Sequence, residues 1–437
     1  MPTTRPTSTP SRPSPWPLAL ALALAAPAFA PACGDDGGGS GGETPILERT
    51  PLLAGSCEVT SPIAQVSGAS WLPTGVAQTS TGAFIARGNG GAALVPVDAA
   101  GVLGEPLDLG EDEFAYSPIA VAAGAGDFAD RVAVVWGHYD EAARATLRVA
   151  IVDDGAFSLA PTEIPGFSGA QIGDLAVAVL ADGRVAALVG TQSATGAGSL
   201  ELRVLDASGA VAAGPTTVAT AAQSYGYFGV TAVASGDGLL ATWVEGYDAG
   251  EVKLAAFSPG AGLRLGPIAL SGGQGWAVQP WTSLRVVGGE TWVAWSEQKY
   301  TGSDFDAKGK AEIWVAAIDT KGQVSQGRLA EGEVDTMRTA PRLTEALGRP
   351  ALAWSEGSFI YICGGCISDY DIHLVALTRD EAGDIVPASA VTTVLHGSNG
   401  LYARGVATFG DALLVVASLD FHALSYPGLA TVTCTAN

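Results

Sequence analysis

Basic residues are scarce in this chain: 22 lysines and arginines stand against 44 aspartates and glutamates, a formal net charge of −22 at pH 7. Such a mean field repels phosphate, so no nucleic-acid partner is expected. The excess acidity reads as a well-solvated surface. Histidine is rarer still, with 4 residues in 437 and none in a paired metal spacing. No GxSxG, P-loop or EF-hand pattern occurs, which leaves no nucleophile elbow, phosphate cradle or calcium loop to expect. Neither a cofactor nor a metal is expected, and an enzyme is the less favoured reading. Sustained helical periodicity is absent after the leader, which excludes the helical fold classes.

The one continuous apolar run, Leu18–Ala26, is too short to span a bilayer core of about 30 Å. Preceded by Arg5 and Arg12, it reads as the centre of an export signal. Two endings are open. Ala28-Phe29-Ala30 has the small-x-small form of ordinary signal cleavage, which would release a soluble periplasmic or secreted protein. Ala30-Pro31-Ala32-Cys33 resembles a bacterial lipobox, which would make Cys33 the lipidated mature N-terminus. The glycine-rich run Gly34–Gly42 favours the second, because a flexible tether of that kind separates an anchor from a folded body by roughly 15–20 Å. Gly34 beside the cysteine fits outer-membrane sorting. The expected divisions are a leader over 1–32, a lipidated cysteine and tether over 33–56, and one folded body over 57–437.

What the body has in quantity is glycine, 58 residues, and proline, 25, bounding short runs of Ala, Val and Leu in the manner of strands and turns. Self-similarity sets the fold. Arg131–Trp136, Leu239–Trp243, Thr291–Trp295 and Arg349–Trp354 each close on tryptophan, and Arg184–Val189 fills the gap in the series with valine in that place. Each is followed by a variable turn and a second apolar strand ending in a turn: Leu147–Gly155, Leu200–Asp206, Val252–Phe257, Ile313–Asp319 and Ile372–Leu377. With weaker flanking strands, every unit is a four-stranded sheet of about 50 residues. One such sheet cannot bury both faces, so the units must stack, the signature of a β-propeller.

About seven blades are expected, with second strands near Ala83, Val132, Val185, Leu240, Trp292, Ala351 and Leu413. The last unit ends at Cys434 without an outer strand. Val59–Gly68 matches the outer strand Leu265–Gly272 and is expected to complete it, which removes the open edge. Antiparallel pairing then sets Cys57 beside Cys434, and a disulfide is expected there. Cys363 and Cys366 form a CxxC in a turn; a local disulfide is favoured over a redox pair, which belongs at a helix start, and over zinc, for which only His373 lies near.

The lipobox, the tether and the strand ends Trp295-Ser296-Glu297 and Trp354-Ser355-Glu356 together resemble the uncharacterised propeller-repeat lipoproteins of Gram-negative bacteria. That resemblance implies a fold and a compartment and no reaction.

In a propeller, the turns between second and third strands share one face with the links between blades. Here those segments gather the aromatic residues: Tyr116, His138, Tyr139, Tyr225, Tyr227, Phe228, Trp276, Trp281, Tyr300 and Tyr402, with Arg404. Ring by ring, packing beneath turns is the plainer reading. As a set they mark a binding face, since aromatics give large contact area at low entropic cost and the opposite-face turns are small and polar. The expected role is a binding or scaffolding module for an envelope protein or glycan, acting as a monomer. One alternative is a glycosidase-like hydrolase with Glu297 and Glu356 in the central well; another is a purely structural envelope protein. Glu245, Glu297 and Glu356, each two residues past a tryptophan, otherwise read as solvated strand ends.

Overall fold

The computed structural model describes residues 55–436 apart from 66–71, 89–91, 111–117, 140–144, 166–170, 193–196, 222–226, 247–249, 272–276, 302–307, 329–335, 361–365, 397–400 and 422–423. All of these belong to the compact unit Ser40–Asn437. The expectations for the leader, the lipobox Cys33 and the tether lie outside the described residues, as does Cys363.

The described chain is strand throughout except for one short 3-10 turn, Gly126–Phe128. Each expected second strand is present: Ala83–Gly88, Arg131–Tyr139, Val185–Gln192, Gly238–Glu245, Glu290–Thr301, Arg349–Ile360 and Ala412–Phe421. Alternation explains why they lie in the middle of their sheets. These runs are buried on both faces, so they are almost continuously apolar, whereas the outer strand Ala156–Glu163 alternates exposed and half-buried positions.

Seven separate four-stranded sheets were expected, and pairing departs from that. Among the described residues, five sheets have four strands, four of them in meander order and the fifth a three-stranded meander with the N-terminal strand added at its edge, and one sheet has nine. The nine-stranded sheet runs from Ala277 to His396 and is joined at its centre by a single parallel bridge, Ala311↔Met337. On the far side of that bridge the outer strand is split into Ile385–Pro387 and Thr392–His396, both paired to Cys366–Arg379.

Packing follows chain order and returns to its start, which makes the arrangement a propeller. Buried side chains of sheet 72–110 pack on those of sheet 119–163, through Phe84, Leu94, Val134 and Trp136. The same holds for each later neighbour, including the two halves of the nine-stranded sheet, which meet face to face through Trp292, Val315, Leu352 and Trp354. The circle closes where Ile85 and Val95 of the first sheet meet Leu414 and Val416 of the last. There the Gln78 side chain bonds the Thr408 backbone in both directions, donating to its carbonyl and accepting from its N–H. A Cβ on Gly405 would stand 2.6 Å from the Val76 side chain, so only glycine lets those two strands approach so closely.

The N-terminal strand completes the last sheet as expected. Gly55–Gln65 pairs antiparallel with Leu424–Ala436, and Cys57 faces Cys434 in a disulfide with a 2.02 Å S–S bond. A clasp joining residues 377 positions apart ties the two ends of the described chain into one sheet.

Candidate functional site

The first strands of the successive units, Leu72–Gln78, Ile119–Ala123, Gln171–Val179, Tyr227–Ser235, Ala277–Val287, Thr336–Ala346 and Leu401–Phe409, all contribute lining to one cavity of about 830 Å³. From Gln171–Val179 onward, side chains stitch each of these strands to the next. Asp174 accepts from the Val230 N–H, Thr231 meets Thr282, Ser283 accepts from the Leu343 N–H, and Thr344 meets Thr408. Polar residues interrupt these otherwise apolar strands because the inner edge of each sheet has no further strand to pair with.

One end of the cavity has a distinct construction. Each of these strands except Ile119–Ala123 loses register with its partner near its start: between Pro73 and Gly75, Ile172 and Asp174, Phe228 and Thr231, Val278 and Thr282, Thr339 and Arg342, and Ala403 and Gly405. Bulges redirect side chains and raise local twist, and here they recur at one level of the ring. Arg404 is itself the extra residue of its bulge. Ala340, inside the bulge that precedes Arg342, holds φ at 50°, a left-handed conformation that costs a non-glycine residue of order 1–3 kcal/mol and that clusters at functional sites. Strand direction puts this end on the face of the inter-sheet links and second-to-third turns.

The charged side chains among the lining residues are Asp174, Arg285, Arg342 and Arg404, three guanidiniums against one carboxylate in a chain of net charge −22. Arg342 donates from Nε to the Arg404 carbonyl at 3.3 Å and from Nη1 to the Pro341 carbonyl at 2.9 Å. Among the described residues no carboxylate pairs with it. Burial, and then the neighbouring Arg404 charge, push its pKa down to about 10, with Asp174 opposing. Burial lowers Arg285 as well, against the pull of Glu345. Asp174 is pushed up to about 6 by burial, although the N–H groups of Val230, Leu175 and Gly229 and the charge of Arg342 favour its ionised form.

Aromatic rings stand beside these guanidiniums. Trp281 and Tyr402 have centroids 6.1 Å apart with planes inclined at 36°, and the Arg404 guanidinium lies 5.5 Å from the Tyr402 centroid. Arg404 also donates from Nε to the Ser418 hydroxyl at 3.0 Å. Trp281, Tyr402 and Arg404 were expected on this face, and the structure brings them together. Arg342 and Asp174 were missed. Their signal was a charged residue at the head of an apolar first strand, Asp174 before Leu175–Val179 and Arg342 before Leu343.

The other expected residues are placed differently. Tyr139 is a strut between sheets: its hydroxyl accepts from the Ile172 N–H at 3.1 Å. His138, next to it, is half-buried with Nδ1 enclosed and unpartnered. Tyr116, Tyr225 and Trp276 lie outside the described residues, as do the side chains of Tyr227, Phe228, Tyr300 and Cys366.

Glu297 and Glu356 do not line the central cavity. Nor are they solvated strand ends, which corrects that expectation. In both Trp-Ser-Glu copies the indole donates to the carboxylate two residues on, along the same strand face: Trp295 to Glu297 at 2.8 Å and Trp354 to Glu356 at 3.1 Å. The intervening serines bond the following unit, Ser296 to the Arg338 carbonyl and Ser355 to the Ala403 N–H. Glu356 also receives Arg338 at 2.9 Å; burial opposes its ionisation, but Arg338 and the indole hold its pKa below the ordinary range.

Glu297 is only 6 % exposed and lines a second cavity of about 330 Å³, with Glu251, Ser271, Gln326 and the stacked pair Trp295 and Trp314, whose centroids are 6.4 Å apart. It stands in direct register with Glu312 on the neighbouring strand. Burial and then the Glu312 charge raise it to about 7, against the Trp295 bond. No helix among the described residues is long and apolar enough to cross a membrane, and no cluster of three or more potential metal-ligating side chains occurs among them.

Comparisons with known proteins return no family. No protein-family model matches the chain, and no curated protein matches it. Solved structures that resemble it include the α-L-arabinofuranosidase Arb93A from Fusarium graminearum, at 10% identity and TM-score 0.44, covering 72% of this chain and 92% of that one. An α-L-arabinanase from Penicillium chrysogenum gives 9% identity and TM-score 0.43 over the same shares. A protein of unknown function from Dyadobacter fermentans gives 11% identity and TM-score 0.43, covering 85% of this chain and 99% of that one. Likenesses this distant carry no weight for activity.

Proposed function

We propose that this protein is an exported, lipid-anchored envelope protein, monomeric, whose propeller is a binding module for a protein or glycan at the mouth of its central cavity. One observation carries the reading: Trp281, Tyr402, Arg404 and Arg342, supplied by three different first strands, converge at the bulged end of an 830 Å³ cavity. That volume lies within the roughly 300–1,000 Å³ of ordinary ligand sites, and aromatic residues with arginine are the usual anchors of recognition. We propose seven blades, with the nine-stranded sheet supplying two of them. Supporting that count are the face-to-face core between the halves of the nine-stranded sheet and the single bridge that links them.

The test is capture from the native envelope. The wild-type protein should retain a glycan or protein component that the Trp281→Ala/Tyr402→Ala double variant loses while near-UV circular dichroism shows it folded. Undiminished capture by the double variant would overturn the reading. Lipidation at Cys33 is tested separately, since Cys33→Ala should abolish labelling by a fatty acid.

A hydrolase is the second reading, and Asp174 is what favours it, because a carboxyl held near pKa 6 inside a cavity is poised for proton transfer. Glycoside hydrolysis in its common form needs two carboxyl groups, and Asp174 is the single one among the described lining residues. Turnover of chromogenic glycosides that Asp174→Asn eliminates would decide for this reading.

A further inference from the structure

Resting on the binding reading of the same mouth, we propose that its ligand is a carboxylate-bearing saccharide, with the carboxylate between Arg342 and Arg404 and the ring against Trp281 and Tyr402. The charge balance of the lining comes first. In a strongly acidic chain, the described lining residues of the central cavity include three guanidiniums and one carboxylate. Two of those guanidiniums belong to residues whose groups touch, since Arg342 donates to the Arg404 carbonyl.

Arg342 is the informative residue. The hydrogen bonds it makes go to backbone carbonyls, which do not neutralise it, and it has no carboxylate partner among the described residues. Holding a desolvated cation beside another cation is unfavourable in the empty protein. A bound carboxylate removes that penalty, and the planar guanidinium fork matches carboxylate geometry in a way that a point charge does not. Asp174 offsets only part of it: its charge favours that of Arg342 without a direct ion pair among the described residues, and it accepts from the N–H groups of Leu175 and Val230.

The remaining lining favours a saccharide over a peptide terminus. Trp281, half-buried among the lining residues, offers an aromatic face for the C–H side of a pyranose, with the Tyr402 ring packed beside it. Asp174, with two oxygens and about four acceptor positions, retains capacity for a ring hydroxyl. Threonine and serine hydroxyls, Thr74, Thr231, Thr282 and Ser283, line the same cavity.

Calorimetry on the full mature protein tests this with paired probes: digalacturonate and a glucuronate-terminated disaccharide against their neutral galactose and glucose counterparts, with a peptide carrying a free C-terminal carboxylate as a further arm. The acidic disaccharides should bind about 30-fold or more tightly than the neutral ones, and Arg342→Gln should remove most of that difference. Arg342→Lys, which keeps the charge and loses the fork, should fall between. Near-UV circular dichroism checks that each variant is folded; should Arg342→Gln fail to fold, Arg404→Gln and Arg342→Lys carry the test.

Equal binding of acidic and neutral probes, or undiminished acidic binding by Arg342→Gln, overturns the proposal. If that neutral binding still requires Trp281 and Tyr402, the binding reading survives. Selective binding of the peptide likewise overturns the saccharide and leaves the binding mouth in place. Failure of the wild type to bind any probe overturns the saccharide proposal; failure also to retain any envelope component removes the binding reading with it.

Discussion

The two cavities hold like-charge pairs of opposite sign, and the pairs resolve their repulsion in different ways. In the side cavity Glu297 faces Glu312 across regular strand pairing, and burial keeps a proton on Glu297 up to about pH 7. Glu297 is relieved by taking up a proton, whereas Glu312 is met by Arg328 at 3.1 Å. In the central mouth Arg342 lies against Arg404, and the same forces lower its pKa only to about 10. At physiological pH it remains charged, and Asp174 is the one carboxylate among the described lining residues that favours that charge. A buried carboxyl can shed its charge by binding a proton, whereas a guanidinium keeps its charge and is stabilised by an anion.

The largest expected effect falls on the mouth. Replacing both Arg342 and Arg404 by Gln should weaken an acidic saccharide by about 100-fold and leave neutral ligands unaffected, read by calorimetry. Equal loss for both ligand types would mean that the arginines shape the mouth without supplying charge, and the contrast between the cavities would collapse.

Glu297→Gln probes the other side. The folded pKa of about 7 stands above the ordinary 4.5, so the folded state binds the extra proton between those values. The contribution of Glu297 to stability therefore falls as pH rises from about 4.5 to about 7 and is flat beyond. The Gln variant should flatten that slope and be more stable at pH 8 by roughly 2 kcal/mol, measured by denaturant titration at several pH values. Unchanged pH dependence would show that Glu297 ionises freely.

Asp174 should give a smaller effect, on affinity. Protonation as pH falls through about 6 removes the one negative charge among the described lining residues, so an acidic saccharide should bind several-fold more tightly at pH 5 than at pH 7.5. Asp174→Asn should abolish that difference.

Smallest is Glu356→Gln. The folded pKa of Glu356 is depressed by Arg338, so its contribution is present above the ordinary carboxylate pKa and is lost as pH falls through the folded value. The variant should lose about 1 kcal/mol at pH 7 and show a shrinking deficit toward pH 4. Glu297→Gln and Glu356→Gln should thus shift stability in opposite directions at neutral pH, although both carboxylates sit in a Trp-Ser-Glu segment.

That pair also marks how far sequence reading reaches. The repeat, the second strands, the borrowed N-terminal strand and the Cys57–Cys434 clasp were legible because each follows from local periodicity or from one pairing rule. The Trp-Ser-Glu motif was visible too, but its chemistry was not. Indole and carboxylate share a strand face in both copies, while the charge opposite, Glu312 in one and Arg338 in the other, comes from another strand. Pairing into a nine-stranded sheet was likewise invisible, since one bridge between Ala311 and Met337 has no periodic signal. At the mouth, Trp281, Tyr402 and Arg404 were found by the logic of blade faces. Asp174 and Arg342 were missed because bulges, which no regular pattern announces, turn them toward the cavity.

The most direct measurement is a crystal structure of the mature protein with an acidic disaccharide bound. The account predicts a carboxylate within hydrogen-bond distance of the Arg342 and Arg404 guanidiniums, with a sugar ring against Trp281 or Tyr402. A ligand seated in the Trp295–Trp314 cavity, or a central mouth left to solvent at saturating ligand, would contradict it.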